Sequence, residues 1–320
     1  MKRVMKWLFG LALVLGVALL VLRTPDTDPA EMRAKYGGAP SQFVDLGNGL
    51  TVHLRDEGPR GAPAIVLLHG SNADLHTWEP WTQALKGQYR VIRYDTIGHG
   101  LTGGVAGKDY SPEAMTALVG QVADKLALQR FALAGNSMGG AVAARYAMAH
   151  PERLTALVLV DAGGAPKPGG EPGNIGFKIA ATPGVNQLMK WITPRAIVAR
   201  SLRQSVTNQA IVTEPAIDRY WELLRYPGNR EATMLRMTAP RSTFDPAKLA
   251  AIRVPTLILW GEEDALIGPA AARWYAKAIP GSTLTIYPGI GHLAHEETAA
   301  RSAADVAAFL AAKGLVGKPG

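Results

Sequence analysis

The sequence predicts an α/β protein built on a mostly parallel sheet, and three observations carry that reading. Short apolar runs of strand length at 64–68, 91–94, 131–134 and 157–160 alternate with stretches rich in helix formers. That alternation is the pattern of right-handed strand–helix–strand crossovers. The third of these runs turns abruptly, through Gly135-Asn136-Ser137-Met138-Gly139, into a helical stretch that is stopped by Pro151. Finally, 320 residues that are 48% hydrophobic suffice for one large core with a small accessory domain.

Taken in order, residues 1–23 form an N-terminal membrane anchor or signal segment. Lys2, Arg3 and Lys6 precede an uncharged run from Trp7 to Leu22. As a helix these residues span about 24 Å, short of the ~30 Å hydrocarbon core, and Trp7, Lys6 and Arg23 cover the shortfall at the interfaces. A signal peptide would need small residues before a cleavage site, and Ala18-Leu19-Leu20-Val21-Leu22-Arg23 offers a poor one. An uncleaved anchor is therefore expected, with the remainder outside the cytoplasm by the positive-inside rule; the alternative is a secreted or periplasmic protein after cleavage. Residues 24–40, with Pro25, Pro29, Gly37, Gly38 and Pro40, read as a polar linker. A hairpin follows, turning at Gly47-Asn48-Gly49. The clearest intervening helix is expected over 113–128, with Ser111 as its N-cap.

From 163 to 245 the rhythm changes to apolar-periodic pieces at 192–202, 217–224 and 232–237 with no convincing strand. This segment reads as an all-helical lid inserted between core strands, the core being 41–162 and 246–313. Phe177, Ile179, Leu188, Met189, Trp191, Ile197, Trp221 and Met234 divide between lid core and pocket wall. Arg195, Arg200 and Arg203 read as a solvated helix face, with contact to an acidic substrate as the alternative.

Chemistry concentrates at the abrupt turn. Glycines flanking a serine between strand and helix force a strained, exposed conformation on Ser137, at a helix N-terminus where negative charge is favoured. A serine needs a base, itself oriented by an acid. Asp264 follows the apolar run 255–261, and His292 follows the run 282–287, so both fall beyond strand ends where open α/β sheets bind ligands. His295 competes as base, and Asp161, Glu262 and Glu263 compete as acid. For the oxyanion, the expected donors are the backbone N–H groups of Met138 and of Ser71, in the His69-Gly70-Ser71-Asn72 loop.

With these motifs in place the chain resembles the α/β-hydrolase superfamily. The resemblance rests on Leu67-Leu68-His69-Gly70, Tyr94-Asp95-Thr96-Ile97-Gly98-His99-Gly100-Leu101-Thr102, the turn around Ser137, Leu259-Trp260-Gly261-Glu262-Glu263-Asp264 and Gly291-His292. It implies an eight-stranded sheet, a Ser137–Asp264–His292 triad and a lid after the sixth strand. Ile97 and Thr102 stand where relatives carry Arg and Ser, a change expected in loop packing. A serine nucleophile disfavours the epoxide hydrolase and haloalkane dehalogenase branches, which use a carboxylate.

The resulting expectation is a serine esterase acting on a small, apolar acyl substrate without metal or organic cofactor. Carbon–carbon bond hydrolysis of the meta-cleavage type is one alternative. For it, Gly135-Asn136-Ser137-Met138-Gly139-Gly140 matches; against it, Asn72-Ala73-Asp74 replaces a Gly-Pro-Gly run and Leu293 replaces a Trp. A cofactor-free perhydrolase and a non-catalytic binding module are further alternatives. Absence of cysteine excludes disulfides and thiol catalysis. The net charge of +8 falls to +4 once the four basic residues of the first 23 are set aside, and no basic–aromatic cluster points to nucleic acid.

Overall fold

A computed structural model describes residues 20–47, 49–166, 174–182, 184–240 and 243–316, with isolated positions before residue 20. Its strands are β1 (Ser41–Asp45), β2 (Thr51–Glu57), β3 (Ala64–Leu68), β4 (Arg90–Tyr94), β5 (Phe131–Asn136), β6 (Leu154–Val160), β7 (Thr256–Gly261) and β8 (Thr283–Tyr287). They form one eight-stranded sheet in the order β1-β2-β4-β3-β5-β6-β7-β8. The β1–β2 hairpin and the β2–β4 pair are antiparallel, and every other pairing is parallel.

The outer helices in chain order are α1 (Pro29–Tyr36), α2 (Glu79–Leu85), α3 (Pro112–Lys125) and α4 (Met138–Ala149). Between β6 and β7 come α5 (Ile175–Ala181), α6 (Val185–Leu188), α7 (Arg195–Arg203), α8 (Glu214–Leu224), α9 (Asn229–Thr238) and α10 (Pro246–Leu249). After β7 follow α11 (Ala270–Ala278), α12 (Ala294–Glu297) and α13 (Ala299–Ala312).

Alternation along β3 shows why its five residues are all apolar. Val66 and Leu68 pack on one face with Met115 and Leu118 of α3 and Val142 of α4. Ile65 and Leu67 pack on the other with Trp81 and Leu85 of α2 and Val306 and Leu310 of α13. A sheet covered on both faces has no polar side, so its strands read as continuous hydrophobic runs.

Ser111 caps α3, its hydroxyl accepting from Ala114 N–H at 3.1 Å. The helix ends at Lys125, three residues before the expected limit. Ala127 takes a left-handed φ of 54°, and Leu128 N–H donates back to the Ala123 carbonyl at 2.8 Å, a Schellman-type closure. Likewise α7 begins at Arg195 rather than 192, because Pro194 cannot donate within a helix and fixes the preceding backbone. The expected turn residue Asn48 and part of the 163–170 connection lie outside the described residues. Within the described part of that connection, Gly163 N–H donates to the Ser137 carbonyl at 2.8 Å.

The segment 24–40 is not a free linker. It contains α1, capped by Asp28, and it docks on the insertion. Thr24 N–H donates to the Trp191 carbonyl at 2.8 Å, Arg230 pairs with Asp26 at 2.5 Å, and Lys35 pairs with Glu222 at 2.7 Å. Met32 is buried against Leu101, Leu223 and Tyr226. The three polar contacts join residues 167, 204 and 187 apart in sequence, which a local reading of proline and glycine could not reveal. The expected anchor lies largely outside the described residues; among those described, no helix is long and apolar enough to cross a membrane.

Candidate active site

The abrupt turn at Ser137 is the junction between β5 and α4. Ser137 has φ 54° and ψ −115°, a conformation that costs a non-glycine residue about 1–3 kcal/mol and persists only where surroundings enforce it. Here they do. Ser137 N–H donates to Val160 at 3.0 Å, and its carbonyl accepts from Gly163 and Ala141. A Cβ on Gly139 would collide with the backbone of Leu68 and His69, and one on Gly135 with the backbone of Gly139 itself. The flanking glycines therefore let helix and strand approach closely enough to present the serine.

Asp264 and His292 come together beyond β7 and β8. His292 Nδ1 lies 2.7 Å from Asp264 Oδ2, while Asp264 Oδ1 accepts from Leu266 N–H at 2.8 Å and Ile267 N–H at 3.0 Å. Both side chains are buried. The His292 backbone is held as well: its N–H donates to the Ser205 carbonyl at 2.8 Å, and its carbonyl accepts from Asn136 Nδ2 at 3.2 Å. Ser137 and His292 line one cleft.

Gly70, Ser71, Asn72 and Ala73 line the same cleft. Ser71 Oγ donates to Met138 Sδ at 3.3 Å, so the two expected oxyanion donors are neighbours. Among the described residues, no hydrogen bond uses the backbone N–H of either. Asn72 has a left-handed φ of 60°, and its Oδ1 accepts from Thr233 Oγ1 of α9 at 2.7 Å. Phe177, Val198, Ser201, Leu202, Ser205 and Tyr220 of the insertion complete the wall, with Leu266 and Leu293. Of the apolar insertion residues weighed from sequence, Phe177 faces the cleft, Met234 is buried, and Leu188 and Trp191 are exposed.

The competing candidates separate by burial and contact. Glu262 and Glu263 are exposed. His295 is buried outside the cleft, its Nε2 2.9 Å from Thr77 Oγ1 and its ring tilted against Trp78 with centroids 4.2 Å apart. Burial, helped by His292, brings its pKa down to about 3, so its imidazole stays neutral. Asp161 lies closer to the chemistry: one ligand atom each of Asp161, Asp264 and His292 fall within 4.8 Å of one another. Burial, then the neighbouring Asp264 charge, raises the Asp161 carboxyl well above the usual carboxylate range. Asp161 Oδ1 accepts from Gly261 N–H at 2.8 Å, tying the end of β6 to the strand that carries Asp264.

Three further side chains tie the surroundings of these residues together. Glu297 Oε1 accepts from Gly291 N–H at 3.0 Å, and its Oε2 accepts from Thr207 and Asn208 N–H, each at 2.9 Å. One carboxylate thus staples the histidine loop to the insertion. Asp74 pairs with Arg219 of α8 at 3.1 Å, a second tie between core and insertion. Arg236 donates to Thr233 Oγ1 at 3.1 Å and lies 3.4 Å from Asn72 Oδ1, and burial lowers its pKa to about 9. Of these, Glu297 reads from sequence only as an acid favouring the N-terminus of the last helix, and its bonds to Thr207 and Asn208 are non-local. Arg195, weighed for substrate contact, pairs instead with Asp218 and Glu214 within the insertion.

Comparison with known proteins agrees with this architecture. The alpha/beta hydrolase family model matches residues 65–308, and the chain belongs to that family. It is 27% identical to the 2-hydroxy-6-oxo-2,4-heptadienoate hydrolase of Pseudomonas putida over 77% of this chain and 88% of that protein. Among solved structures it resembles a meta-cleavage product hydrolase with a TM-score of 0.74 at 21% identity, over 85% of this chain and 98% of that one. It also resembles a membrane phospholipase A, described as a bacterial virulence factor, with a TM-score of 0.74 at 25% identity, over 98% of this chain and 99% of that one. The chain is therefore a hydrolase, and its named relatives match the carbon–carbon alternative more directly than the ester expectation.

Proposed function

We propose that the chain is a serine hydrolase in which Ser137, His292 and Asp264 act in sequence on an acyl substrate. Ser137 Oγ attacks the carbonyl carbon while His292 Nε2 takes its proton. Asp264, bonded to Nδ1, fixes the tautomer and stabilises the imidazolium. The Ser71 and Met138 N–H groups hold the oxygen that becomes negative, each worth roughly 3 kcal/mol of barrier. His292 then protonates the leaving group and activates water to release the acyl enzyme. The observation that carries this reading is the 2.7 Å His292–Asp264 contact beside a cleft shared by His292 and the strained Ser137.

A carboxylic ester with an apolar acyl chain is the substrate the cleft suits best. Phe177, Val198, Leu202, Leu266 and Leu293 line it, and no Lys, Arg, Asp or Glu does among the described residues. The helical insertion then serves as a lid that excludes water. The alternative, carbon–carbon cleavage of a dienoate, is favoured by the relatives' activities. Its carboxylate would call for a cation, and Arg236 stands one side chain behind the cleft, at Asn72. The assay that separates the two compares p-nitrophenyl esters with a vinylogous diketone acid. Ester turnover lost in Ser137→Ala supports the first reading, and diketone cleavage with little ester turnover replaces it by the second.

The same reading places the catalytic domain outside the cytoplasm on an N-terminal anchor. Support comes from the apolar run 7–22 and from similarity over 98% of this chain to a membrane phospholipase A. Co-sedimentation of the full chain with membranes tests it, and a mature protein beginning near residue 24 would contradict it.

A further inference from the structure

Apart from Leu235 and Val316, every large exposed apolar side chain among the described residues lies in one of two places. One is the N-terminal run. The other is α6 with the turn after it, where Val185, Leu188 and Trp191 are 44%, 49% and 53% exposed. Their spacing of three residues puts them along one side of the segment. The two places are physically continuous. Thr24 N–H donates to the Trp191 carbonyl at 2.8 Å, Thr193 N–H donates to Thr24 Oγ1 at 2.6 Å, and the Arg23 guanidinium stands 5.4 Å from the Trp191 ring. The chain thus leaves its apolar run directly beside the exposed face of α6.

Along the sequence this segment is basic, although Lys190 pairs with Glu231 and Arg195 with Glu214 and Asp218 from neighbouring elements. From 174 to 213 the sequence carries Lys178, Lys190, Arg195, Arg200 and Arg203 and no Asp or Glu. The flanking elements meanwhile face inward: Phe177 on α5 and Val198 on α7 both line the cleft that holds Ser137. The face exposed on α6 and the wall of the cleft are therefore parts of one continuous segment.

We propose that the Val185–Leu188–Trp191 face beds into the boundary between head groups and acyl chains of an anionic lipid surface. It adjoins Arg23 and Thr24, which follow the apolar run of the proposed anchor on which this inference rests, and brings the mouth of the cleft to the bilayer. An apolar ridge with a tryptophan at its edge and the Arg23 guanidinium 5.4 Å from that ring has the chemistry of such a boundary. The substrate class it implies is an acyl ester presented from the membrane rather than from solution.

Absence of cysteine makes the test direct. A spin label on Leu188→Cys in the full chain, reconstituted in vesicles of neutral and anionic phospholipid, reports accessibility to dissolved oxygen and to an aqueous nickel complex. The expected result is preferential relaxation by oxygen at position 188, with the reverse at exposed Gln83→Cys. Equal aqueous access at both sites overturns the proposal. Dipolar broadening at 188 without lipid also overturns it, assigning the face to a second copy of the chain. Vesicle flotation, read separately, tests the anchor: if the full chain fails to float, the anchor reading falls, and the label still reports on vesicles added to the soluble protein. The double variant Leu188→Ser, Trp191→Ser is expected to lose about tenfold in hydrolysis of vesicle-borne ester while keeping its rate on a dissolved short-chain ester. Equal losses on both substrates also contradict the proposal.

Discussion

His292 Nδ1 and Asp264 Oδ2 lie 2.7 Å apart, and two backbone N–H groups fix the other oxygen of Asp264. Because Oδ1 is committed to the backbone, Oδ2 has one orientation available, and it selects the tautomer that leaves Nε2 free to accept a proton. Asp264→Asn would present an amide to one side of this arrangement and favour the wrong tautomer. The expected outcome is a loss of about 10³–10⁴ in kcat with little change in KM. Steady-state kinetics on an ester substrate check it. A loss under tenfold would mean that Asp161, beside the same imidazole, supplies the orientation.

Gly139→Ala should damage the fold rather than the chemistry alone. The added Cβ meets the carbonyls of Leu68 and His69, main-chain atoms of β3 and its loop that cannot move aside cheaply. A destabilisation of about 3 kcal/mol or more is expected, read by chemical denaturation. Ser137→Ala keeps both glycines and should retain wild-type stability or gain slightly.

Much of this architecture could be read from residue order. β3, β5, β6 and β7 are continuous apolar runs because both faces of the sheet are covered, and the Ser137 turn declares itself through glycines that only a close strand–helix approach requires. The meeting of Asp264 and His292 follows from a related feature: each sits just past a strand, where the topology gathers loops at one edge. What the sequence hid were contacts between residues far apart. Nothing near Pro25 or Pro29 tells that Thr24 meets Trp191 or that Met32 fills a gap by Leu223. Composition alone made that stretch a linker. The Glu297 staple and the Asp74–Arg219 pair are equally non-local, and they join the insertion to the core.

Glu297→Gln tests the staple. An amide offers one acceptor where the carboxylate offered two, so the Gly291 contact or the Thr207 and Asn208 contacts must be lost, at roughly 1–3 kcal/mol. Hydrogen exchange at Thr207 and Asn208 is expected to quicken. A lower kcat at unchanged global stability would show that the staple positions His292. Unchanged exchange at both amides would remove it from the account.

Acid lability follows from His295. Its folded pKa of about 3 lies below the usual 6.5 of an unfolded histidine, so the unfolded chain binds the proton first. The stability contributed by the neutral ring is fully present above pH ~6.5 and is lost as pH falls toward about 3. Burial lowers the pKa of His69 and His99 as well, in the same direction. His295→Gln retains a group able to reach Thr77 and does not titrate. Its unfolding free energy should fall less steeply between pH 6.5 and 4 than that of the wild type, by denaturation at several pH values. A slope equal to wild type would contradict the assignment.

Whether Ser137 is a nucleophile driven by His292 is read by a fluorophosphonate probe with mass-spectrometric mapping of the adduct. Stoichiometric phosphonylation is expected on Ser137 in the wild type, none in Ser137→Ala, and labelling slowed at least a hundredfold in His292→Ala. A folded wild-type protein left unlabelled, or modified at the same rate without His292, would contradict it.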